Sequence, residues 1–480
     1  MLLSKESCES KQFLPTYRYG LSLFLIMGEN ITLQTPLGEV LIPFSDTAVL
    51  DFLRRVHRVN EAEETLEEAD IVEFLEAESY DDLEAEWLFW EEKKVPVMLH
   101  DLELWLSENF EIMKTESWSN YGRKKANTIY QKFKFPNKIE KRLPIRINYY
   151  LRHLPTDSRY VWKVSPMDGV HIECQIQTNP MDENASIENI KSSFDTFVAT
   201  KGVLKNSTFD ANYQFLKPVD TTFDDVILSE KQETVIHRNI VKYIQNLDFY
   251  AERGLPTSRG VLITGPPGTG KTLTCSAIIN SVPATKIYIT ADAIQEQGKI
   301  DELYELAQGL SPSVVIVEDI DTLGGLDRRE TGNHPLLGEF LNCLNGVESN
   351  DGVITIATTN YPEHLDKALT RAGRFDIKVE FGYPNEKIRQ FILEKYLSDV
   401  ATKGKISLEK IVKETENFSG AFLKEIVTLA TISTFEENGY ASNTKLCQKH
   451  LDEALNSLLE SRSDQLISPK AKNDGFAFHG

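Results

Sequence analysis

A glycine-rich turn between an apolar strand pattern and an apolar helix pattern constrains this chain more than any other feature. In GVLITGPPGTGKTLTCSAIIN the turn follows the spacing Gly265-x4-Gly270-Lys271-Thr272. Glycines let several backbone N–H groups point at one phosphate chain, and the following helix adds its positive dipole end. The spacing and its context predict a nucleotide phosphate site in an α/β fold.

Each residue of this loop has an expected place around the phosphates. Lys271 is expected to reach the β- and γ-phosphates, and the hydroxyl of Thr272 is expected to bind magnesium. The residues predicted to contact the nucleotide here are Gly265, Pro266, Pro267, Gly268, Thr269, Gly270, Lys271, Thr272 and Leu273.

A second apolar strand pattern ends in acids. The stretch SVVIVEDIDTLGG, Ser313 to Gly325, places Glu318 and Asp319 directly after that strand. An unpaired buried charge costs several kcal/mol, so acids at this place predict a cation or a polarised water nearby. We expect Glu318 to hold the magnesium site and Asp319 to orient the attacking water. The third acid, Asp321, is also explained as a helix N-cap.

Composition narrows the possible functions. With 480 residues, the chain is expected to form two or three domains. Its net charge of −21 argues against general nucleic-acid binding, which depends on Lys and Arg. The five cysteines form no CxxC pair and the sequence has no HExxH motif, so neither a zinc site nor a fused zinc protease is predicted. Cysteines without a pairing pattern are typical of proteins in a reducing compartment, so we predict a cytoplasmic protein.

The one membrane-like stretch, Tyr19 to Met27, has roughly half of the ~20 residues that a membrane span needs. We therefore expect a buried strand there, or an extension upstream of a true start at Met27. Residues 1–30 are assigned to an N-terminal extension, and membrane association of this extension is the alternative.

Residues 31–215 predict an α+β domain. Two short strands are expected in Ile31–Pro43, and strand patterns return in LPIRINYYLRHL and RYVWKVSPMDGVHIECQIQT. Fifteen Asp and Glu residues lie between Glu61 and Glu92, interleaved with apolar and aromatic residues. This run predicts helices with one strongly acidic face. A solvated face is the simpler interpretation, and a docking surface for a basic partner is the alternative.

From Phe223 to the 430s, several motifs in order resemble the AAA ATPase family. FDDVIL is similar to the segment that contacts adenine through backbone groups, which implies that Asp225 and Val226 contact the nucleotide. GVITIATTN resembles the sensor strand, which implies that Asn360 helps to place the attacking water.

Two further motifs extend the resemblance. LDKALTRAGRFDIKVEFGYP contains Arg371 and Arg374, which match arginine fingers that reach the nucleotide of a neighbouring subunit. NFSGAFLKEIVTLA resembles the helical lid, which implies that Gly420 and Ala421 lie over the adenine and ribose, with Tyr396 beside the base. Because such arginines act on a neighbouring subunit, they imply that the subunits assemble in a ring, which we expect to be a homohexamer.

The resemblance implies a fold and a function. The implied fold is an α/β P-loop AAA core, 223–385, with a small α-helical lid, 386–460, and a tail, 461–480. The implied function is that of a chaperone-like ATP hydrolase that remodels or unfolds a protein or protein complex, with ATP and magnesium as cofactors and no nucleic-acid partner.

Two rival functions stay open at this point. The Glu-Asp order and the stretch FLNCLNGVESNDGVITIATTNY are similar to the AAA translocase of the mitochondrial Rieske iron–sulfur protein. A translocase-like protein acting on folded substrates is therefore one alternative. A nucleotide-switched scaffold with little turnover is the other.

One departure from peptide-threading AAA proteins concerns the loop after the second core strand. The stretch TADAIQEQGKID, Thr290 to Asp301, has no aromatic residue for gripping a polypeptide. Ile294 and Gly298 remain as candidates for a gripping loop. GLDRRETGNHP, Gly325 to Pro335, is a candidate for a second, charged pore loop.

Overall fold

The fold is taken from a computed structural model of the chain. It describes residues 12–13, 22–25, 30–35, 38–43 and 65–467, with gaps at 120–121, 136–138, 168–170, 218–219, 291–293, 295–297, 323–334, 346–350 and 442–443. The predicted charged pore loop lies almost entirely outside the described residues, as do most of the N-terminal extension and the end of the tail.

The chain divides into two compact units, Met1–Val203 and Leu204–Gly480. The second unit begins before Phe223, at which the sequence analysis started the ATPase core. The reason is the strand Thr208–Asp210, which pairs with Lys286–Tyr288 and so extends the sheet of the second unit by one strand.

The first unit contains a short antiparallel sheet formed by four strands in chain order. The strands are β1 (Gln12–Phe13), β2 (Ser22–Leu25), β3 (Asn30–Thr35) and β4 (Gly38–Pro43). The last two are the strands expected in Ile31–Pro43.

A second antiparallel sheet of the first unit carries its aromatic core. Its strands are β5 (Glu84–Trp90), β6 (Phe110–Glu116), β9 (Ile129–Lys134), β10 (Glu140–His153), β11 (Arg159–Pro166) and β12 (Ile172–Thr178), and a separate pair consists of β7 (Trp118–Ser119) and β8 (Lys124–Lys125). The order is β5-β12-β11-β10-β6, with β9 also beside β10. Trp105, Trp162 and Phe194 pack together with ring centroids 5.2–5.5 Å apart.

The described part of this unit contains three α-helices: α1 (Leu66–Leu75), α2 (Val95–Asn109) and α3 (Ile187–Lys201). Thr65 and Glu68 form a reciprocal capping box at the start of α1. The prediction of helices throughout the acidic run is wrong after residue 83, where the chain forms β5. Trp87 and Phe89 alternate with Leu88 and Trp90 there, and this period of two suits a strand.

The second unit is built on a six-stranded parallel sheet. Its strands are β13 (Thr208–Asp210), β14 (Arg259–Thr264), β15 (Thr285–Ile289), β16 (Ser313–Val317), β17 (Val353–Thr359) and β18 (Ile377–Glu380), in the order β13-β15-β16-β17-β14-β18. The central strands are buried throughout, as expected when helices cover both faces of a parallel sheet.

Helices of this sheet layer precede and connect the strands. They are α4 (Glu230–Ile236), which continues through a π-helical turn (His237–Val241) into α5 (Lys242–Gln245), then α6 (Leu247–Ala251), α7 (Lys271–Ser281), α8 (Lys299–Gly309) and α9 (Pro335–Asn345). Together these elements form the predicted α/β core.

The helical lid follows as α10 (Glu386–Ser398), α11 (Glu409–Glu414), α12 (Gly420–Glu437) and α13 (Gln448–Ile467). The side chain of Arg389 is buried, and its guanidinium donates to the carbonyls of Val412 and Pro384. These bonds tie α10 to α11 around an apolar core that includes Leu393, and the predicted lid is confirmed. In the described part of the chain, every helix is too short or too polar to cross a lipid bilayer.

Candidate nucleotide site

Three parallel strands of the second unit bring the candidate residues to one edge of the sheet. Strand β14 leads into the glycine turn, Glu318 and Asp319 directly follow β16, and Asn360 directly follows β17. Because β17 pairs with both β14 and β16, the three carboxyl ends are adjacent. In open parallel sheets, ligands bind at this edge.

The glycine turn contacts the lid at Gly268. This residue has a φ of +75°, and a Cβ built there would lie 2.8 Å from the Cβ of Ala421 and 2.7 Å from the Oγ of Ser419. The backbone N–H of Ala421 donates to the Gly268 carbonyl over 3.1 Å. Only glycine satisfies both the left-handed backbone and this close approach.

Lys271 lies at the centre of the site, with 6% of its surface exposed. Its ammonium donates to the carbonyls of Gly265 (2.7 Å) and Pro266 (3.0 Å) and to the side-chain oxygen of Asn360 (2.6 Å). Burial lowers the pKa of this ammonium, and the charge of Asp319 partly opposes that effect. All three acceptors are neutral, so an anionic phosphate in their place makes a stronger, charge-assisted bond.

Asn360 connects this cation to the acids. Its amide nitrogen donates to the Asp319 carboxylate over 3.0 Å. Asp319 has a φ of +47°, and its backbone N–H donates to the Thr358 hydroxyl over 3.0 Å. The unusual backbone at Asp319 is thus fixed by a bond to β17, the strand that carries Asn360.

Asp321 has a supporting place that the sequence analysis missed. Its carboxylate accepts the hydroxyl of Thr359 (2.5 Å) and the backbone N–H of Asn360 (3.2 Å). It therefore holds the end of β17, and the N-cap interpretation is wrong. No local sequence pattern indicates this contact, because it depends on β16 and β17 being neighbours in the sheet.

Glu318 and Thr272 fit a divalent cation. Burial raises the pKa of Glu318, a hydrogen bond with the Thr272 side chain opposes this, and the charge of Asp319 adds to it. The Oε1 atom of Glu318 is buried and has no hydrogen-bond partner among the described residues. A carboxylate with an unused buried oxygen beside a hydroxyl suits magnesium, which takes oxygen ligands.

A pocket of about 450 Å³ lies above these groups. The predicted residues that line it are Asp225, Val226, Pro267, Gly268, Thr269, Gly270, Lys271, Thr272, Leu273, Asp319, Asn360, Tyr396, Gly420 and Ala421. Of the other loop residues, Gly265 and Pro266 contribute carbonyls to the Lys271 ammonium. The structure therefore brings the predicted nucleotide contacts of core and lid together.

Four lining residues were not predicted: Ile227, Ile392, Lys395 and Lys424. Ile392 lies four residues before Tyr396, and Lys424 lies three residues after Ala421. Helical neighbours at these spacings share a face. The periodicity of the lid helices was therefore a usable signal for both residues.

The two candidate arginine fingers lie apart from this pocket. Its described lining includes neither Arg371 nor Arg374. Arg371 is exposed, whereas the Arg374 guanidinium donates to the Ala368 carbonyl over 2.7 Å.

The suggested gripping loop is not supported at Ile294. Its side chain is fully buried, which removes it from contact with a passing polypeptide. Gly298 has a φ of +87° and caps the start of α8, where its backbone N–H donates to Glu339. Burying this apolar side chain is more favourable than exposing it in a loop, so the prediction that Ile294 helps to grip a polypeptide is wrong.

Comparisons with known proteins agree with this geometry. Residues 261–383 match the family described as "ATPase family associated with various cellular activities (AAA)". The chain is 32% identical over 224 residues to ATP-dependent zinc metalloprotease FtsH 2 of Salinibacter ruber, covering 44% of this chain and 33% of that protein. It is 31% identical over 287 residues to the ATP-dependent zinc metalloprotease YME1 homolog of Caenorhabditis elegans, covering 57% and 39%.

A relative from rice gives evidence about the cellular location of this protein. The chain is 31% identical over 242 residues to ATP-dependent zinc metalloprotease FTSH 9, chloroplastic/mitochondrial, of Oryza sativa, covering 48% of this chain and 30% of that protein. A relative named for organelles contradicts the prediction of a cytoplasmic protein, which is wrong on this comparison.

The chain spans about a third of the length of these three relatives. The likeness to the Rieske-protein translocase subgroup stays a prediction. The family match covers the glycine turn, the acids, the sensor strand and the arginines, whereas the lid residues and residues 225–227 of the pocket lie outside it. The resemblance is confirmed: residues 261–383 form an ATPase domain of the AAA family.

Proposed function

We propose that this chain hydrolyses ATP and uses the energy to remodel or unfold a protein or protein complex. The observation that carries the proposal is the hydrogen-bonded series from the Lys271 ammonium through the Asn360 side chain to the Asp319 carboxylate. This series supports the proposal because a lysine ammonium, an amide and a carboxylate lie beside one pocket.

Residues of both the core and the lid hold the nucleotide. The glycine turn and Lys271 hold the phosphates, and the start of α7 directs its backbone N–H groups at them. The segment with Asp225 and Val226 contacts the base through backbone groups. Tyr396, Gly420 and Ala421 complete the base and ribose end from the lid.

Hydrolysis then depends on positioning and charge rather than on a covalent intermediate. Asp319 orients the water and accepts its proton as the water oxygen bonds to the γ-phosphorus. The bond from the γ-phosphorus to the β–γ bridging oxygen breaks, and ADP leaves with that oxygen. Asn360 holds the Asp319 carboxylate in place. Thr272 and Glu318 would hold magnesium, which supplies charge neutralisation at the β- and γ-phosphate oxygens when bound.

The arginines complete the site in an assembled ring. Arg371 and Arg374 are candidates to act on the nucleotide of a neighbouring subunit, because the described lining of their own pocket includes neither. A cation supplied in trans stabilises negative charge that develops on the transferred phosphoryl group. This makes a homohexamer the proposed active form.

The substrate is proposed to be a protein. The relatives carry names of ATP-dependent proteases, which act on polypeptides. Proteolysis is not part of the proposal, because the 480 residues contain no HExxH motif. The remodelling role is therefore chaperone-like.

The test is capture and release of a substrate. In Asp319→Asn, ATP binds without being hydrolysed, so a cross-linked substrate complex is expected to accumulate and to be identifiable. The complex is then rebuilt with purified partner and parent protein, and its dissociation is followed after adding ATP. Release by the parent, and retention by Asp319→Asn, is the expected result. Equal release with a non-hydrolysable ATP analogue would instead favour a nucleotide-switched scaffold.

A further inference from the structure

Lys395 joins the lid to the segment that precedes the core. It lies in the last turn of α10, and its ammonium donates to the Asp224 carbonyl over 2.6 Å and to the Asp225 carboxylate over 3.1 Å. One side chain thus binds both the backbone and the side chain of the predicted base-binding segment. The sequence patterns gave no sign of this contact.

The partner of Lys395 is itself fixed. The Asp225 carboxylate accepts the backbone N–H of Thr222 over 2.9 Å and its hydroxyl over 3.2 Å, which closes the single helical turn Phe223–Asp225. The Thr222 N–H, and next the bond from Lys395, hold the pKa of Asp225 below its ordinary value. The carboxylate therefore connects this turn to the lid.

The contact made by Lys395 lies in a different part of the pocket from the phosphate-binding groups. Asp225, Val226 and Ile227 line one wall of the pocket, and Ile392 and Tyr396 line the facing wall on the same helix as Lys395. The bonds of the Lys271 ammonium, by contrast, lie at the glycine turn and Asn360. Of the three described lysines that line the pocket, Lys271 and Lys395 therefore have different partners.

We propose that Lys395 is a positioning residue that holds the two walls of the base-binding end at the spacing a nucleoside needs. This inference rests on the proposed nucleotide site and adds a residue that sets affinity for the base and ribose. Lys395 acts through Asp224 and Asp225, and their segment presents the backbone groups that contact the base. The triphosphate is held independently by the glycine turn.

An exposed ion pair alone contributes little, and the side chains of Lys395 and Asp225 are 35% and 42% exposed. The additional bond to the Asp224 carbonyl is charge-assisted and orders the backbone. Together these partly exposed contacts predict a loss of about 5- to 10-fold in ATP affinity when the ammonium is removed, a size typical of one ordinary hydrogen bond.

The experiment compares two probes on the full chain. ATP and inorganic tripolyphosphate compete in turn against a fluorescent ATP analogue, with the parent, Lys395→Met, Lys395→Arg and the control Lys387→Met. Lys387 is an exposed lysine of the same helix. We expect Lys395→Met to weaken ATP about 5- to 10-fold and tripolyphosphate less than about 2-fold. Lys395→Arg is expected to restore most ATP affinity, and Lys387→Met to match the parent.

Three results would overturn the inference: unchanged ATP affinity in Lys395→Met, an equal loss for both probes, or the same loss in Lys387→Met. Asp225→Asn is expected to reproduce the Lys395→Met pattern, and the double variant to lose little more, because both changes break one contact. Full additivity of the two losses would contradict the shared contact. Failure of the parent to bind ATP would contradict the proposed function itself, and the inference with it.

Discussion

The ammonium of Lys271 and the side-chain oxygen of Asn360 lie 2.6 Å apart, although 89 residues separate them in the chain. This bond joins the glycine turn to the end of β17, and Asn360 continues it to Asp319. One amide therefore joins the proposed phosphate-binding cation to the proposed water-activating acid.

Removing the ammonium of Lys271 is expected to lower ATP affinity by about 100-fold, since a bond between charged groups in a dry site is lost. Lys271→Met keeps the length of the side chain, and Lys410→Met, at an exposed lysine of α11, is the matched control. Equilibrium titration with a fluorescent ATP analogue measures both. An affinity for Lys271→Met equal to that of the control would remove Lys271 from the site.

Glu318 is expected to govern the magnesium requirement. In Glu318→Gln the amide is a weaker ligand than the carboxylate, so more magnesium is needed for half-maximal ATPase rate. The Thr272→Val variant removes the hydroxyl and is expected to shift the requirement in the same direction. The measurement is ATPase rate against magnesium concentration at fixed ATP. A magnesium curve for Glu318→Gln that overlies the parent curve speaks against this assignment.

The sequence predicted most of this site because its residues lie in short motifs at the ends of strands. The described pocket lining comes from six separate stretches of the chain, namely residues 225–227, the glycine turn, Asp319, Asn360 and two stretches of the lid. The support from Asp321 was missed because a bond between adjacent strands depends on strand order, which no local pattern encodes. Lys395 was missed for the same reason, since its partners are 170 and 171 residues away.

The fold was less predictable where acids and aromatics mix. Strand β5 carries Glu84 and Glu86 beside Trp87 and Phe89, and its charge concealed its period of two. The helix Ile187–Lys201 was missed because its sequence is largely polar. Its buried residues Ile190, Phe194 and Phe197 nevertheless repeat at helical spacing, and packing on the sheet stabilises the helix.

Gly260 is expected to be essential for stability of the second unit. A Cβ there would lie 2.1 Å from the Arg374 carbonyl, so Gly260→Ala forces β14 and the arginine loop apart. We expect a loss of about 1–3 kcal/mol in the free energy of unfolding. The control is Gly309→Ala, where the new methyl group meets no described atom within 4 Å outside its chain neighbours and the backbone of its own helix.

The transition to follow is the thermal unfolding step that ATP shifts, since this step reports on the nucleotide-binding unit. Gly309→Ala is expected to leave its midpoint unchanged or raise it slightly, because alanine favours a helix. An unchanged midpoint in Gly260→Ala would show that the two segments are not packed together as described.

Substitutions of the two arginines are expected to differ in their effect on thermal stability. Arg371→Ala is predicted to bind ATP normally and to lower kcat by on the order of 10³-fold, the signature of an interaction made in the transition state. Arg374→Ala is predicted to lose kcat and thermal stability together, because its guanidinium also holds the Ala368 carbonyl.

Mixing two inactive variants distinguishes an arginine that acts on a neighbouring subunit's nucleotide from one that acts within its own subunit. Rings assembled from Arg371→Ala and Asp319→Asn subunits contain some interfaces with an intact acid and an intact arginine, so partial activity is expected to return. Sedimentation establishes the ring at the assay concentration. Full activity of the parent as a monomer, or no recovery on mixing, would contradict a finger supplied by the neighbour.

The central claim is that Asp319 activates water for ATP hydrolysis at a site built by Lys271 and Asn360. The most direct measurement pairs ATP affinity with single-turnover hydrolysis in the parent and in Asp319→Asn. The amide cannot accept the proton of the attacking water, so we predict unchanged affinity and hydrolysis slower by about 10²- to 10⁴-fold. Full hydrolysis by Asp319→Asn, with loss of hydrolysis alone in Glu318→Gln, would reverse the two acids and contradict this account.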